Sequence, residues 1–289
     1  TCETLKVHRP TTFFAAVNEE DLERERQVES IVAENFRHWQ EGGLLPDMAI
    51  EPGYNTDQPI WERGWMYWHQ LFSPRHLLSL SLLRQQKGRP HDEILFCGCL
   101  NFSSRLTRWS VGSKGKQGVA PNGDFAAMVF SNQALNTLVN YAQRSFPELS
   151  NTYTIDIKNL PLSGDYIVTP SAANFVPTKS ELFITDPPYA DAVHYHEITE
   201  YFIAWLRKSP PSPFDQWTWD SRRDLAIKGS GDDFRRGMVE AYRAMTEHMP
   251  DNGMQCVMFT HQDTGVWSDM VSIFWAAGLQ VVGAWYIAT

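Results

Sequence analysis

Two kinds of hydrophobic patterning divide the 289 residues and predict an α/β fold preceded by a mainly helical region. From residue 152 onward, short apolar runs alternate with amphipathic stretches, the pattern of a mostly parallel sheet covered by helices on both faces. Before residue 150, helical periodicities follow one another. A third observation gives the fold its focus. The apolar run ELFIT is cut off by Asp186-Pro187-Pro188-Tyr189, where neither proline has an N–H for a ladder. The expected division is therefore a helical region, 1–150, and a strand–helix region, 151–289.

The elements follow in chain order. Residues 19–41 are heavily charged, with Leu22, Val28, Ile31, Val32, Phe36 and Trp39 near one face and Gly42-Gly43 behind them, an amphipathic helix with its stop signal. The next stretch, 42–68, is punctuated by Pro and Gly and carries Tyr54, Trp61, Trp65, Tyr67 and Trp68. These read as a satellite core under a loop in preference to a platform for bases. Ser73 followed by Pro74 caps a helix over 74–86, and another should run from Pro90 to Leu106. Ser131 caps a further helix through Arg144.

After residue 152, TYTIDIKN and ELFIT read as strands, HEITEYFIAWLR as a helix, and FDQWTWDSRRDLAIKGSG as an irregular excursion. DDFRRGMVEAYRAMTEHM is amphipathic, with Phe234, Met238, Ala241, Tyr242 and Met245 inward, and is stopped by Pro250-Asp251-Asn252-Gly253. MQCVMFTH is a strand, VWSDMVSIFWAAG a helix ending at Gly278, and LQVVGAWYIA the last strand.

Composition bounds the function. With 43% hydrophobic residues, 11 Trp and 16 Phe, the chain can bury a sizeable core. A net charge of −9 excludes a surface coated in basic patches, so any nucleic-acid contact is local. The strongest local candidate is 105–124, where Arg105, Arg108, Lys114 and Lys116 alternate with Trp109 and glycines 112, 115, 118 and 123, with no acid before Asp124. This strip reads either as a solvated loop or as a DNA-backbone contact, and its spacing fits neither a P-loop nor a GxGxxG turn. Cys2, Cys97, Cys99 and Cys256 include no CxxC pair, so no thiolate metal site is expected, and reduced thiols point to the cytoplasm. No apolar run has membrane length, and no signal peptide is read. The chain starts at Thr1 and stops within an apolar run, which leads us to expect a piece of a longer protein.

The catalytic candidates centre on Asp186. It stands on a stiff, extended loop at the carboxyl end of a strand, where open α/β sheets bind ligands. The chemistry suited to it is activation of an exocyclic amino group, a poor nucleophile because its lone pair is delocalised into the ring. Accepting both hydrogens draws that nitrogen toward a tetrahedral shape. Asp186 is one acceptor and the carbonyl of Pro187 the other, with Pro188 stiffening the backbone. Tyr189 offers a face for a base, a stack of about 1–3 kcal/mol that offsets part of the cost of turning the base out of a duplex. His194, Tyr195 and His261 are candidate substrate contacts, the last if the MQCVMF strand is a parallel neighbour of ELFIT. His194-Tyr195-His196-Glu197 suggests a metal, but His-x-His at a helix start is more often structural or substrate-facing, and without a third ligand at a fitting spacing no metal is assigned.

The block DPPYADAVHYHEITEYFIAWL, with MVEAYRAMTEHMPDNGMQCVMFTHQD, resembles the prokaryotic adenine-specific DNA methylase family that carries a zinc ribbon, a branch of the DPPY amino-methyltransferases. The resemblance spans 180–289 and, more weakly, 61–150. It implies a Rossmann-like methyltransferase fold, S-adenosyl-L-methionine as methyl donor, DNA as partner, and N6 of adenine as target. Asp at the first motif position goes with the adenine enzymes, and Ser is commoner in the cytosine N4 enzymes. It also implies a role in protecting self DNA, as in restriction–modification or antiviral defence.

The chain departs from the family in one respect. The Asp-x-Phe-x-Gly-x-Gly-like turn that holds the cofactor is missing, since CGCLNF at 97–102 does not replace it and 162–165 has a single glycine. In the family that turn lies upstream of DPPY. The cofactor half is therefore expected on a missing N-terminal segment or another chain, and the fragment alone should be inactive. A reading from a different class remains open, a non-enzymatic DNA-binding or scaffold subunit that keeps the fold.

Overall fold

A computed structural model describes residues 16–86, 90–107, 109–110, 125–126, 174–188, 194–212, 214–221, 226–227 and 231–286. Helices α1 (Glu19–Glu41), α2 (Asp57–Arg63), α3 (Pro74–Gln85) and α4 (Pro90–Asn101) come first, followed by the short strands β1 (Trp109–Ser110) and β2 (Phe125–Ala126). Then come β3 (Leu182–Thr185), α5 (Tyr195–Ile198), α6 (Glu200–Leu206), α7 (Asp232–Glu247), β4 (Met254–Val257) and α8 (Thr264–Ala276). The predicted helix at 131–144 and strand at 152–159 lie outside the described residues.

The chain divides into two compact units, and the division is not one cut near residue 150. Thr1–Leu162 joins Ile198–Asp220 in the first unit, and Ser163–Glu197 joins Ser221–Thr289 in the second.

In the first unit, α1 starts on a reciprocal cap between Asn18 and Asp21, which satisfies two otherwise orphaned N–H groups. Val32 and Trp39 are buried, and Val28 and Phe36 pack against the same core. Leu22 and Ile31, expected on the inner face, are exposed instead. Of the aromatics in 42–68, Trp65 and Trp68 enter the core while Tyr54, Trp61 and Tyr67 face solvent. α2, unread in the sequence, starts with Pro59 in its first turn, a position that tolerates the missing N–H. α3 begins as expected, with Ser73 accepting from the His76 N–H. α4 stops at Asn101, earlier than expected, because the chain turns there and Arg105 N–H donates to the Leu71 carbonyl at 2.8 Å.

The helix predicted over 196–207 is broken at Thr199 into α5 and α6. α6 completes the helical core. Tyr201 stacks on Phe72 at 5.5 Å, and Trp205 meets Phe72 and Phe96 edge-on at 5.1 and 5.6 Å. Tyr201 donates its hydroxyl to the Leu100 carbonyl at 2.7 Å. Just beyond α6, the buried Arg84 donates to the Ser209 carbonyl at 2.7 Å and pairs with Glu93. Gly43, at φ +73, lets the chain pass so close that a Cβ there would sit 2.9 Å from the Lys208 Cβ. Cys97 and Cys99 are free thiols on α4, with burial pushing them to about 12 and about 11.

In the second unit, β3 and β4 run parallel in the register Leu182 to Met254 through Thr185 to Val257. α7 and α8 pack together through Phe234, Met238, Tyr242, Met270 and Ile273, with Val257 and Phe259 against them. Among the described residues the opposite face carries exposed apolar side chains. Leu182, Ile184, Met254 and Met258 are exposed at 52%, 64%, 55% and 49%. Residues 279–286 form no strand, and Val282, Trp285 and Tyr286 are exposed. A strand needs a neighbour for its ladder, and the parallel sheet has two strands among the described residues. Among those residues no helix is long and apolar enough to cross a membrane.

Trp205 is 1% exposed, so Trp205→Ala should cost about 3–5 kcal/mol. Trp275→Ala, at 67% exposure, should stay within about 0.5 kcal/mol. Urea unfolding of both variants checks the assignment of α6 to a core, and equal costs would contradict it.

Candidate active site

The ladder is closed right up to the motif. The Thr185 carbonyl accepts from the Met258 N–H at 2.8 Å, and Asp186 follows at once. Asp186 is exposed, Pro187 buried and Pro188 half-buried, with all three outside helix and strand. Because β3 and β4 are parallel, Asp186 and the Met258–His261 segment leave the same end of the sheet. The condition for placing His261 at this edge is therefore met.

Tyr242 is a site residue the sequence placed only on the inner face of a helix. It is 2% exposed, and its hydroxyl lies 3.3 Å from the Thr185 Oγ1. That bond ties α7 to the last residue of β3 beneath Asp186. Burial pushes the Tyr242 phenol above its ordinary range, the Thr185 bond partly opposes this, and the Asp186 charge adds to the rise.

Beside the loop, Pro188, Phe234, Phe259, Met270 and Ile273 line a cavity of about 40 Å³, with the Arg235–Asp269 ion pair (2.7 Å) among its walls. This space admits a few water molecules and neither a nucleobase nor a nucleoside cofactor.

His261 is half-buried and anchored. Its Nδ1 accepts from the Asp263 N–H at 3.0 Å and its carbonyl accepts from the Trp267 indole at 3.0 Å, while Asp263 caps α8 through the Gly265 N–H. An acceptor Nδ1 leaves the ring proton on Nε2. Tyr195 is 61% exposed on α5. His194 and His196 flank it, and Glu197, the next residue, places Oε1 3.7 Å from His194 Nδ1 and 3.8 Å from His196 Nε2. Glu197, part of the sequence quartet but not accepted there as a third ligand, brings its carboxylate to both imidazoles.

Of the basic strip, Arg105 lies half-buried in a turn with its guanidinium 5.9 Å from the Trp65 ring centroid. This is a cation–π contact, where a side chain extended into solvent was expected. β1 and β2 pair antiparallel, Trp109 with Ala126 and Ser110 with Phe125, so the two ends of the strip are joined. Arg108, Lys114, Lys116 and Tyr189 lie outside the described residues. No protein-family model, curated protein or solved structure matches the chain.

Between the ordinary phenol pKa and the raised native one, the unfolded chain has lost a proton the native chain still holds. Raising the pH through that window therefore favours unfolding. Tyr201, raised by burial, acts in the same direction. Stability should be full below about pH 10 and decline above it, and Tyr242→Phe should decline less. Urea midpoints from about pH 8 to 11.5 test this, and parallel curves for the two proteins would contradict it.

Proposed function

We propose that this chain is the catalytic and target-binding part of a DNA adenine N6 methyltransferase that uses S-adenosyl-L-methionine and acts on a base turned out of DNA. The observation that carries the reading is the Asp186-Pro187-Pro188 sequence at the carboxyl end of β3, beside a parallel strand that ends at the same edge. There an exposed carboxylate and the carbonyl of Pro187 can accept the two hydrogens of one amino group. Tyr189 supplies the stacking face. The resemblance of 180–289 to the adenine-specific DNA methylases supports the same chemistry.

The described residues do not fit the cofactor. They contain no glycine turn for a backbone to approach a nucleoside, and the cavity at Pro188 is about 40 Å³. Cofactor binding therefore falls to a segment outside the described residues or to a second chain. The open apolar face of Leu182, Ile184, Met254 and Met258 is a surface such a segment would cover. The missing turn is also what favours the second reading, a DNA-binding subunit without catalysis, and the same assays separate the two.

In the full-length protein, Asp186→Ala should abolish methyl transfer and leave DNA affinity nearly unchanged, because the carboxylate acts on the transferring nitrogen. Tyr189→Ala should weaken both, by about 1–3 kcal/mol for the missing stack. Radiolabel transfer and binding isotherms measure the pair, and full activity in Asp186→Ala ends the catalytic assignment.

Neutralising Lys114 and Lys116 should weaken DNA binding about equally across sequences. It should also flatten the plot of log affinity against log salt by about one unit for each phosphate no longer neutralised. An unchanged slope would return 105–124 to a solvated loop.

A further inference from the structure

His194, His196 and Glu197 bring two imidazole nitrogens and one carboxylate oxygen within 4.8 Å of one another. We propose that they form a binding site for a divalent first-row transition metal of the zinc class. The site goes beyond the methyltransferase reading and gives His194, first read as a substrate contact, a role as ligand.

The spacing is the first argument. Glu197 Oε1 is 3.7 Å from His194 Nδ1 and 3.8 Å from His196 Nε2. Both separations exceed the roughly 2.7–3.2 Å of a direct N–H···O bond. They approach the ligand–ligand edge of about 3.3 Å around a tetrahedral zinc with ligands at roughly 2.0–2.1 Å, and the two nitrogens lie within 4.8 Å of each other, so an ion would draw the three atoms inward from a set already gathered. The rings are tilted by 55° with centroids 5.5 Å apart, so they do not stack on each other.

The local fold supplies the second argument. The Glu197 N–H donates to the His194 carbonyl at 3.0 Å, a tight turn that carries the first and fourth residues of the quartet to one side. Glu197 is 4% exposed, while the His196 and His194 side chains are 15% and 37% exposed. The cluster therefore has a buried anionic floor and an accessible rim.

Ligand chemistry sets the class of ion. Two histidines and a carboxylate suit zinc and its first-row neighbours, whereas magnesium and calcium favour oxygen-only sets. Three protein ligands leave a fourth position for water or an oxygen of a bound molecule, the pattern of reactive zinc sites as opposed to closed structural ones.

The test is a titration of chelator-treated full-length protein with Co(II) and then Zn(II), followed by visible absorption and calorimetry. One equivalent of Co(II) should bind with d–d bands and no thiolate charge-transfer band, zinc should displace it, and excess Mg(II) should not. His194→Ala and His196→Ala should each weaken binding at least about tenfold, with circular dichroism unchanged. Glu197→Gln should do the same, but its burial puts folding at risk, so the half-exposed His194 carries the decision. Three results would overturn the site: no stoichiometric uptake by folded protein, undiminished affinity in both histidine variants, or a thiolate band.

Discussion

The parallel pairing of β3 with β4 sets where Asp186 and the Met258–His261 segment leave the fold. Four matched residue pairs, from Leu182–Met254 to Thr185–Val257, force the two strands to end together. A parallel neighbour also requires a crossover long enough to return the chain. α7 lies on that crossover, and its Tyr242 reaches back to Thr185. A shift of one residue would turn Phe183 and Thr185 to the face now held by Ile184 and would remove the Thr185 hydroxyl from Tyr242. The prolines then keep Asp186 from continuing the ladder. The acid is held by the pairing behind it and the stiffness ahead of it, with no bond to its own carboxylate required.

Several helices could be read from local chemistry. Ser73-Pro74 and Gly42-Gly43 in the first unit and the apolar spacing of 232–247 in the second are short-range signals, and each produced the element it predicts. α7 buries Phe234, Met238, Ala241 and Tyr242 as expected. Where local signals failed, long-range competition decided. Leu22 and Ile31 satisfy the helical period, yet both remain exposed. The helix expected over 196–207 breaks at Thr199, and the residues beyond it, Tyr201 and Trp205, pack against Phe72 and Phe96. Those contacts join residues far apart in sequence, so no local window contains them.

The site was legible in one part and opaque in another. Asp186 at a strand end and His261 at the same edge follow from a strand–proline pattern and a parallel neighbour. Tyr242 needed the tertiary fold, because a tyrosine on an inward helix face is ordinarily core. Glu197 needed side-chain geometry, since its approach to two imidazoles depends on a turn whose carbonyl accepts its own N–H. Arg105 carries a contact that its place in a basic strip did not suggest, since the fold sets its guanidinium over the Trp65 ring.

If Asp186 and its prolines act on the exocyclic amino group of adenine, the identity of the product shows it. DNA incubated with full-length protein and isotopically labelled S-adenosyl-L-methionine would be digested to nucleosides and resolved by mass spectrometry. Label is expected on N6 of deoxyadenosine. Label on N4 of deoxycytidine, or none at all on DNA bound by folded protein, would contradict it.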